Sequence, residues 1–450
     1  MHRTLLTLTL LILQTAGLHA LVPVVSLGAQ PHRNATLSTP LAGGVVFEAH
    51  DDAHGFELWW TDGTLEGTKR LTDLNPGAAD GVCEPGRERL FAHEDWAYFF
   101  GITGTTVDLW RTNELGEVEL VQTLNTRCPD STNLVVDGAL RSATADLFVI
   151  APASRTPGAT PEAALWRVSL TSGLAEVPAF PAAGWWIAGI DTIWNGNVYV
   201  RLFNGSNRYG RLNEQTASFD IVVPSLYGAH ASGSFGDRLI LGGGRLYSSD
   251  GSAAGTFELT TQGTVSVGPG VVMDGIYYFP AALGGMNQEL WRTDGTLPGT
   301  YVVRDFNSGF AGMAGAPMIF DGRLAFFREH YSSTSPSALY ETDGTFEGTR
   351  AINLAMPSQT LYRSYGGPTG MKVVNGRMYV FASSAIPSAS GSGAIWEITP
   401  ASRSARQVSL VLNGDVSRFA QVNDFFLLQK PIGTGSLYSV SVQLFADGLE

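Results

Sequence analysis

Two short runs hold residue types that could bind a metal or move a proton. His50-Asp51-Asp52-Ala53-His54 places two imidazoles and two carboxylates side by side, a donor set that suits a divalent transition metal. The same spacing on a polar hairpin tip also describes a solvated turn. Arg328-Glu329-His330-Tyr331 offers a general acid and base, and equally reads as a loop. Trp185-Trp186, in a Gly/Ala setting, presents ring faces for stacking on a sugar or for packing into a core. Asp62, Asp250, Asp294 and Asp343 recur in equivalent positions. Calcium takes about 6–8 oxygens, whereas each of these turns supplies one carboxylate and some hydroxyls. An aspartate followed by glycine caps its own turn by accepting backbone N–H bonds, so these four are read as structural. No metal and no cofactor is called from the sequence.

Linear catalytic signatures are absent. There is no G-x-S-x-G elbow, no H-E-x-x-H and no G-x-x-x-x-G-K. Gly242-Gly243-Gly244 lies between strand patterns, not before a helix. A propeller can assemble a site from single residues on several blades, so these absences weigh against an enzyme without removing it.

The elements that would position such residues come from an internal repeat. Its best copies are Glu57-Leu58-Trp59-Trp60-Thr61-Asp62-Gly63-Thr64, Glu289-Leu290-Trp291-Arg292-Thr293-Asp294-Gly295-Thr296 and Ala338-Leu339-Tyr340-Glu341-Thr342-Asp343-Gly344-Thr345. Each is followed by a Gly-Thr pair: Gly67-Thr68, Gly299-Thr300 and Gly348-Thr349. A fourth copy spans Leu246 to Gly251, with Gly255-Thr256 behind it. Worn copies keep Leu109-Trp110, Leu165-Trp166, Ile395-Trp396, Leu437-Tyr438 and Tyr209. The aromatics recur about every 38 to 56 residues, a blade-sized period. Asn195-Gly196, Asp274-Gly275, Asp321-Gly322 and Asn375-Gly376 precede apolar runs and mark tight hairpins, whose central residues need positive φ.

One unit therefore reads as four strands. Leu-Trp neighbours point to opposite faces of a strand, and both are large and apolar, so both sheet faces are buried. Radially packed blades do this. The expected fold is all-β, a single closed β-propeller of about eight or nine four-stranded blades.

The repeat resembles the E-L-W-x-x-D-G-T repeat family of exported bacterial proteins, loosely called hyalin-like, over nearly the whole chain after the leader. The resemblance implies a β-propeller type of architecture and carries no activity to transfer.

Composition agrees with turn-dense β structure: 15% charged residues, 44% hydrophobic, 10% aromatic and 53 glycines among 450 residues. A net charge of −13 with scattered basic residues argues against nucleic acid and anionic membrane surfaces. Arg3, the apolar run from Leu5 to Leu13 and Leu18-His19-Ala20 read as a secretory signal over 1–20, with the mature chain starting near Leu21. Residues 21–40 are taken as a lead segment and 41–450 as the repeat domain, with no membrane span. The localisation is secreted, extracellular or periplasmic. In that compartment the only two cysteines, Cys83 and Cys128, are expected to form a disulfide, because both follow the fourth strand of adjacent units.

The functional reading is a non-catalytic extracellular binding or surface-interaction module for an unknown glycan or protein. The alternative is a propeller enzyme, hydrolase or lyase, acting on extracellular glycans. The binding face is expected opposite the Asn-Gly and Asp-Gly turns, where loops vary freely.

Overall fold

The computed structural model describes residues 22–26, 37–83, 90–126, 137–152, 163–172, 179–224, 230–261, 263–283, 288–306, 311–330, 338–354, 371–383, 392–409, 412–413, 418–422, 425–429 and 436–441. The signal at 1–20 lies outside them.

Positive-φ pairs at Asn195-Gly196, Asp274-Gly275, Asp321-Gly322 and Asn375-Gly376 join the first two strands of four repeats by two-residue turns. An Asn or Asp tolerates the left-handed region at the first position and Gly takes the second. The connection between third and fourth strands is longer. In the seventh repeat Ala338–Thr342 is followed by Arg350–Ala351, because the Asp-Gly-Thr segment satisfies its own polar groups before the chain re-enters the sheet.

Repetition of this unit gives nine separate antiparallel sheets among the described residues. They are numbered by chain order, with strands lettered from a; six are four-stranded, the third has three strands, and the sixth and eighth have five. The first holds Leu37–Leu41, Gly44–Asp51, Gly55–Thr61 and Lys69–Arg70. The ninth is built differently: Arg418–Val422, Phe425–Gln429 and Ser436–Ser441 are completed by Val22–Ser26. Val22 lies opposite Ser439 and Ser26 opposite Ser436. The stretch read as a lead segment thus supplies this strand and begins the first sheet.

The core lies between sheets. Val46, Leu58 and Leu71 of the first sheet pack on Ala97 and Phe99 of the second, and Tyr98, Phe100 and Leu109 pack on Leu147, Val149 and Val168 of the third. Such layers continue from sheet to sheet up to Phe320, Phe327 and Leu339 against Met378, Val380 and Trp396 of the eighth. Within one third strand, Leu290 joins the layer toward the seventh sheet. Its neighbour Trp291 joins the layer toward the fifth. Both faces are covered, as the adjacent Leu-Trp pairs require. The architecture is all-β, made of four-stranded antiparallel sheets that resemble propeller blades.

The setting expected for the Cys83–Cys128 disulfide is corrected. Cys83 is disulfide-bonded, and no cysteine among the described residues is free; Cys128, the only other cysteine of the chain, lies outside them. Cys83 is not at an exposed loop. It is 1% exposed within the layer between the second and third sheets, and its N–H donates to Phe100 O at 3.1 Å. The cysteine is anchored in the core between two sheets rather than in a surface loop.

Candidate functional site

The repeated aspartates have one geometry. Asp62 Oδ1 accepts the Thr64 N–H (2.8 Å) and the Thr64 hydroxyl (2.7 Å). The Thr64 Oγ1 in turn accepts the Gly67 N–H at 2.9 Å, and the Thr61 and Thr68 hydroxyls meet at 2.7 Å. Asp294 with Thr296 and Gly299, and Asp343 with Thr345 and Gly348, repeat this pattern. Asp250 does so with Ser252 and Gly255. Hydroxyl and N–H donation from Thr296 holds the Asp294 pKa below the usual carboxylate value. The glycine of each Gly-Thr pair is required by contact: a Cβ at Gly299 would fall 2.0 Å from Asp294 Oδ1.

His50 and Asp51 end strand b of the first sheet, and Asp52 to His54 turn into strand c. Asp51 Oδ1 accepts the Ala53 N–H (2.9 Å) and the His54 N–H (2.8 Å), and the His54 ring nitrogen Nδ1 lies 2.7 Å from the same oxygen. Burial opposes the Asp51 charge, but His54 and these N–H groups outweigh it and hold the carboxyl below its ordinary pKa. His50 turns away and meets the Phe56 ring edge-on at 4.9 Å, while Asp52 is exposed. In the other run, Glu329 and His330 continue the strand Arg323–His330. Tyr331 lies outside the described residues.

Trp185 and Trp186 take opposite faces of the fourth sheet. Trp185 packs in the layer with the third sheet and carries the Arg208 guanidinium 4.1 Å from its ring centre. Trp186 is 50% exposed, pairs across the ladder with Phe203, and sits 4.8 Å from that ring. The two indoles do not form one platform. Trp186 and Phe203 do form a small aromatic surface, on the side where strand a begins.

A polar cluster that sequence reasoning missed joins the first strands of neighbouring sheets. The first strands of the fourth and fifth sheets, Trp186–Trp194 and His230–Phe235, are bulged, with the register skipping Ala188, Asp191 and Ser232. A bulged residue leaves the ladder and re-aims its side chain. Asp191 Oδ2 accepts the Tyr209 hydroxyl (2.8 Å) and the Ala231 N–H (2.6 Å). The Ser232 hydroxyl donates to Gly268 O at 2.5 Å, and a His230 ring N–H donates to Val267 O at 2.6 Å. Asp137, from the third sheet, accepts the Ile190 N–H at 3.0 Å. Burial raises the Asp191 pKa, against the pull of Tyr209, Ala231, Arg201 and His230. A lone aspartate within the apolar run Ile190 to Trp194 was the available signal.

The glutamate that opens the repeat motif is the second omission. Glu57 and Glu289 are buried, and burial pushes both carboxyls up to about 7. Among the described residues, no group of three or more His, Cys, Asp or Glu could hold a metal ion, and no helix is long and apolar enough to cross a membrane.

No family model matches the chain, and no curated protein matches it. Solved structures similar to it include a prolyl endopeptidase, at 13% identity and a TM-score of 0.42, covering 84% of this chain. The chain spans 55% of that protein's length. An oligogalacturonate lyase from Vibrio parahaemolyticus is 13% identical, with 93% of each chain covered and a TM-score of 0.36. BamB from Moraxella catarrhalis is 12% identical, covering 93% of this chain and 99% of its own, at 0.39. With TM-scores below 0.5, none of these likenesses assigns an activity to this chain.

Proposed function

We propose that the chain is a secreted, non-catalytic binding module that engages an extracellular glycan through the aromatic surface of Trp186 and Phe203. It is read as one closed propeller of nine blades and a member of the E-L-W-x-x-D-G-T repeat group. The pairing of Val22–Ser26 with Ser436–Ser441 supports closure, because it joins the two ends of the repeat array in one sheet. The four turn networks, three built on Thr and one on Ser, support the repeat assignment.

The observation that carries the binding reading is the half-exposed Trp186 ring packed on Phe203. An aromatic face beside water stacks on the apolar face of a sugar ring, and its exposure has no packing role in the sheet. It lies on the side opposite the tight Asn-Gly turns, where the variable loops emerge. The deciding experiment is a glycan array probed with the secreted chain and with Trp186→Ala. Binding to a glycan class that the variant loses supports the reading; equal binding by both rejects it.

The polar cluster of Asp137, Asp191, Arg201 and His230 favours a second reading, a propeller enzyme acting on glycans. Reducing-end release that Asp191→Asn abolishes, with fold retained, would establish that reading in place of the first.

A further inference from the structure

We infer that the Glu57 carboxyl is a proton-operated latch on the chain segment that leaves the first sheet for the second. Its side chain is 0% exposed. Oε2 accepts the Thr72 hydroxyl at 2.5 Å, and the same hydroxyl accepts the Leu58 N–H at 2.9 Å. Oε1 has no hydrogen-bond partner. That oxygen lies against the backbone of Gly81, so close that a Cβ there would sit 2.0 Å away.

The segment it touches holds two sheets together. Gly81 and Val82 donate to Phe56 O at 2.9 and 3.2 Å. On the other side, Ile102 donates to Gly81 O at 2.8 Å and Cys83 to Phe100 O at 3.1 Å, while Val82 forms an isolated bridge with Gly101. A neutral carboxyl fits this closed space. An ionised one places a charge at Oε1, which has no donor there, and burying such a charge is unfavourable. The cheapest relief is for the 72–82 segment to lift and admit water.

The charged groups facing Glu57, among the described residues, are Arg70 and Asp73 of this same segment, which largely neutralise each other at 3.1 Å. The Leu74 N–H also faces the carboxyl. Strand b contributes uncharged Ala49 opposite Glu57, and in the second sheet uncharged Gly101 bridges Val82 of the closing segment. The equivalent Glu289 has different neighbours, with Arg304 at the position of Thr72. The position matching Gly101 is Arg328, whose charge favours the ionised carboxylate, with Asp305 opposing it and the Phe306 N–H supporting it.

Hydrogen exchange read by mass spectrometry on the whole secreted chain tests this, with rates corrected for the intrinsic pH dependence of exchange. Between pH 5.5 and 8.5 the opening of peptides covering 72–82 should rise by up to about 30-fold, given a carboxyl held near 7 when closed and at its ordinary value when open. Glu57→Gln, neutral at every pH and nearly the same shape, should remove that rise. Glu289→Gln should leave it intact. A pH-independent 72–82 segment in the natural chain, or the same rise in Glu57→Gln, would overturn the latch. So would an equal rise across all sheets.

Discussion

Asp191 in the first strand of the fourth sheet accepts the backbone N–H of Ala231 in the first strand of the fifth, at 2.6 Å. The bond crosses from one sheet to the next at two bulges, where neither ladder can satisfy that part of the chain. A side chain thus completes backbone hydrogen bonding between units that otherwise meet through apolar layers.

Replacing Asp191 by alanine should strand the Tyr209 hydroxyl and the Ala231 N–H, each costing roughly 1–3 kcal/mol when left unsatisfied in a buried place. Asp191→Asn, which keeps an acceptor, should cost less. Denaturant unfolding of the two variants checks the order, and a loss below about 0.5 kcal/mol for Asp191→Ala would mean the cluster is solvated.

Gly299→Ala should destabilise by roughly 1–3 kcal/mol, since the new methyl meets the Asp294 carboxylate at 2.0 Å. Asp294→Ala should cost about 1 kcal/mol through the lost Thr296 bonds. The double variant should be more stable than the sum of the two, because removing the carboxylate makes room for the methyl. Strict additivity in thermal unfolding would refute the contact.

Stability should fall as pH rises from about 4.5 to about 7. Glu57 and Glu289 have carboxyl values raised to about 7 in the folded chain. The folded state therefore binds more protons than the unfolded one across that window, and the slope is negative there. Above 7 both states are ionised and this contribution is flat. Glu57→Gln should recover roughly 3 kcal/mol at pH 8 relative to pH 4.5. A melting temperature with the same pH profile in variant and natural chain would contradict this.

Glu341 should show the reverse dependence. Burial opposes its charge, but Arg350 and Arg403 hold its carboxyl below the usual value. It receives Arg350 at 2.7 Å from its own sheet and Arg403 at 2.8 Å from the eighth. Its contribution is present above the unfolded carboxyl value and is lost as pH falls through the lowered one. Glu341→Gln should cost roughly 2–4 kcal/mol near neutral pH, and much less in acid. Chemical denaturation at two pH values measures the difference.

Trp185→Ala should lower stability by roughly 1–2 kcal/mol, through lost packing and the lost Arg208 contact. Trp186→Ala should change it by less than about 0.5 kcal/mol. Equal losses would show that both rings belong to the core.

The strands and their turns were legible because their causes are local. Asn375-Gly376 needs two positive φ values wherever the chain goes, and Leu290-Trp291 must place its two side chains on opposite faces of any strand it occupies. The Asp-Gly-Thr turn likewise closes within seven residues, so its aspartate reads as a cap without knowledge of the fold. Tertiary structure alone decided the remainder. Trp185 and Trp186 look like one pair in sequence, yet alternation sends one to the layer with the third sheet and the other to water. Asp191 and Ser232 became links between sheets because bulges shifted the register around them, and no single-strand pattern encodes a bulge. Glu57 looks like any motif glutamate until the returning segment at Gly81 closes over it. Val22–Ser26 finds its place beside Ser436–Ser441, more than four hundred residues away in the chain. Such outcomes depend on which distant backbone arrives at a given edge, and spacing along the sequence carries no record of that.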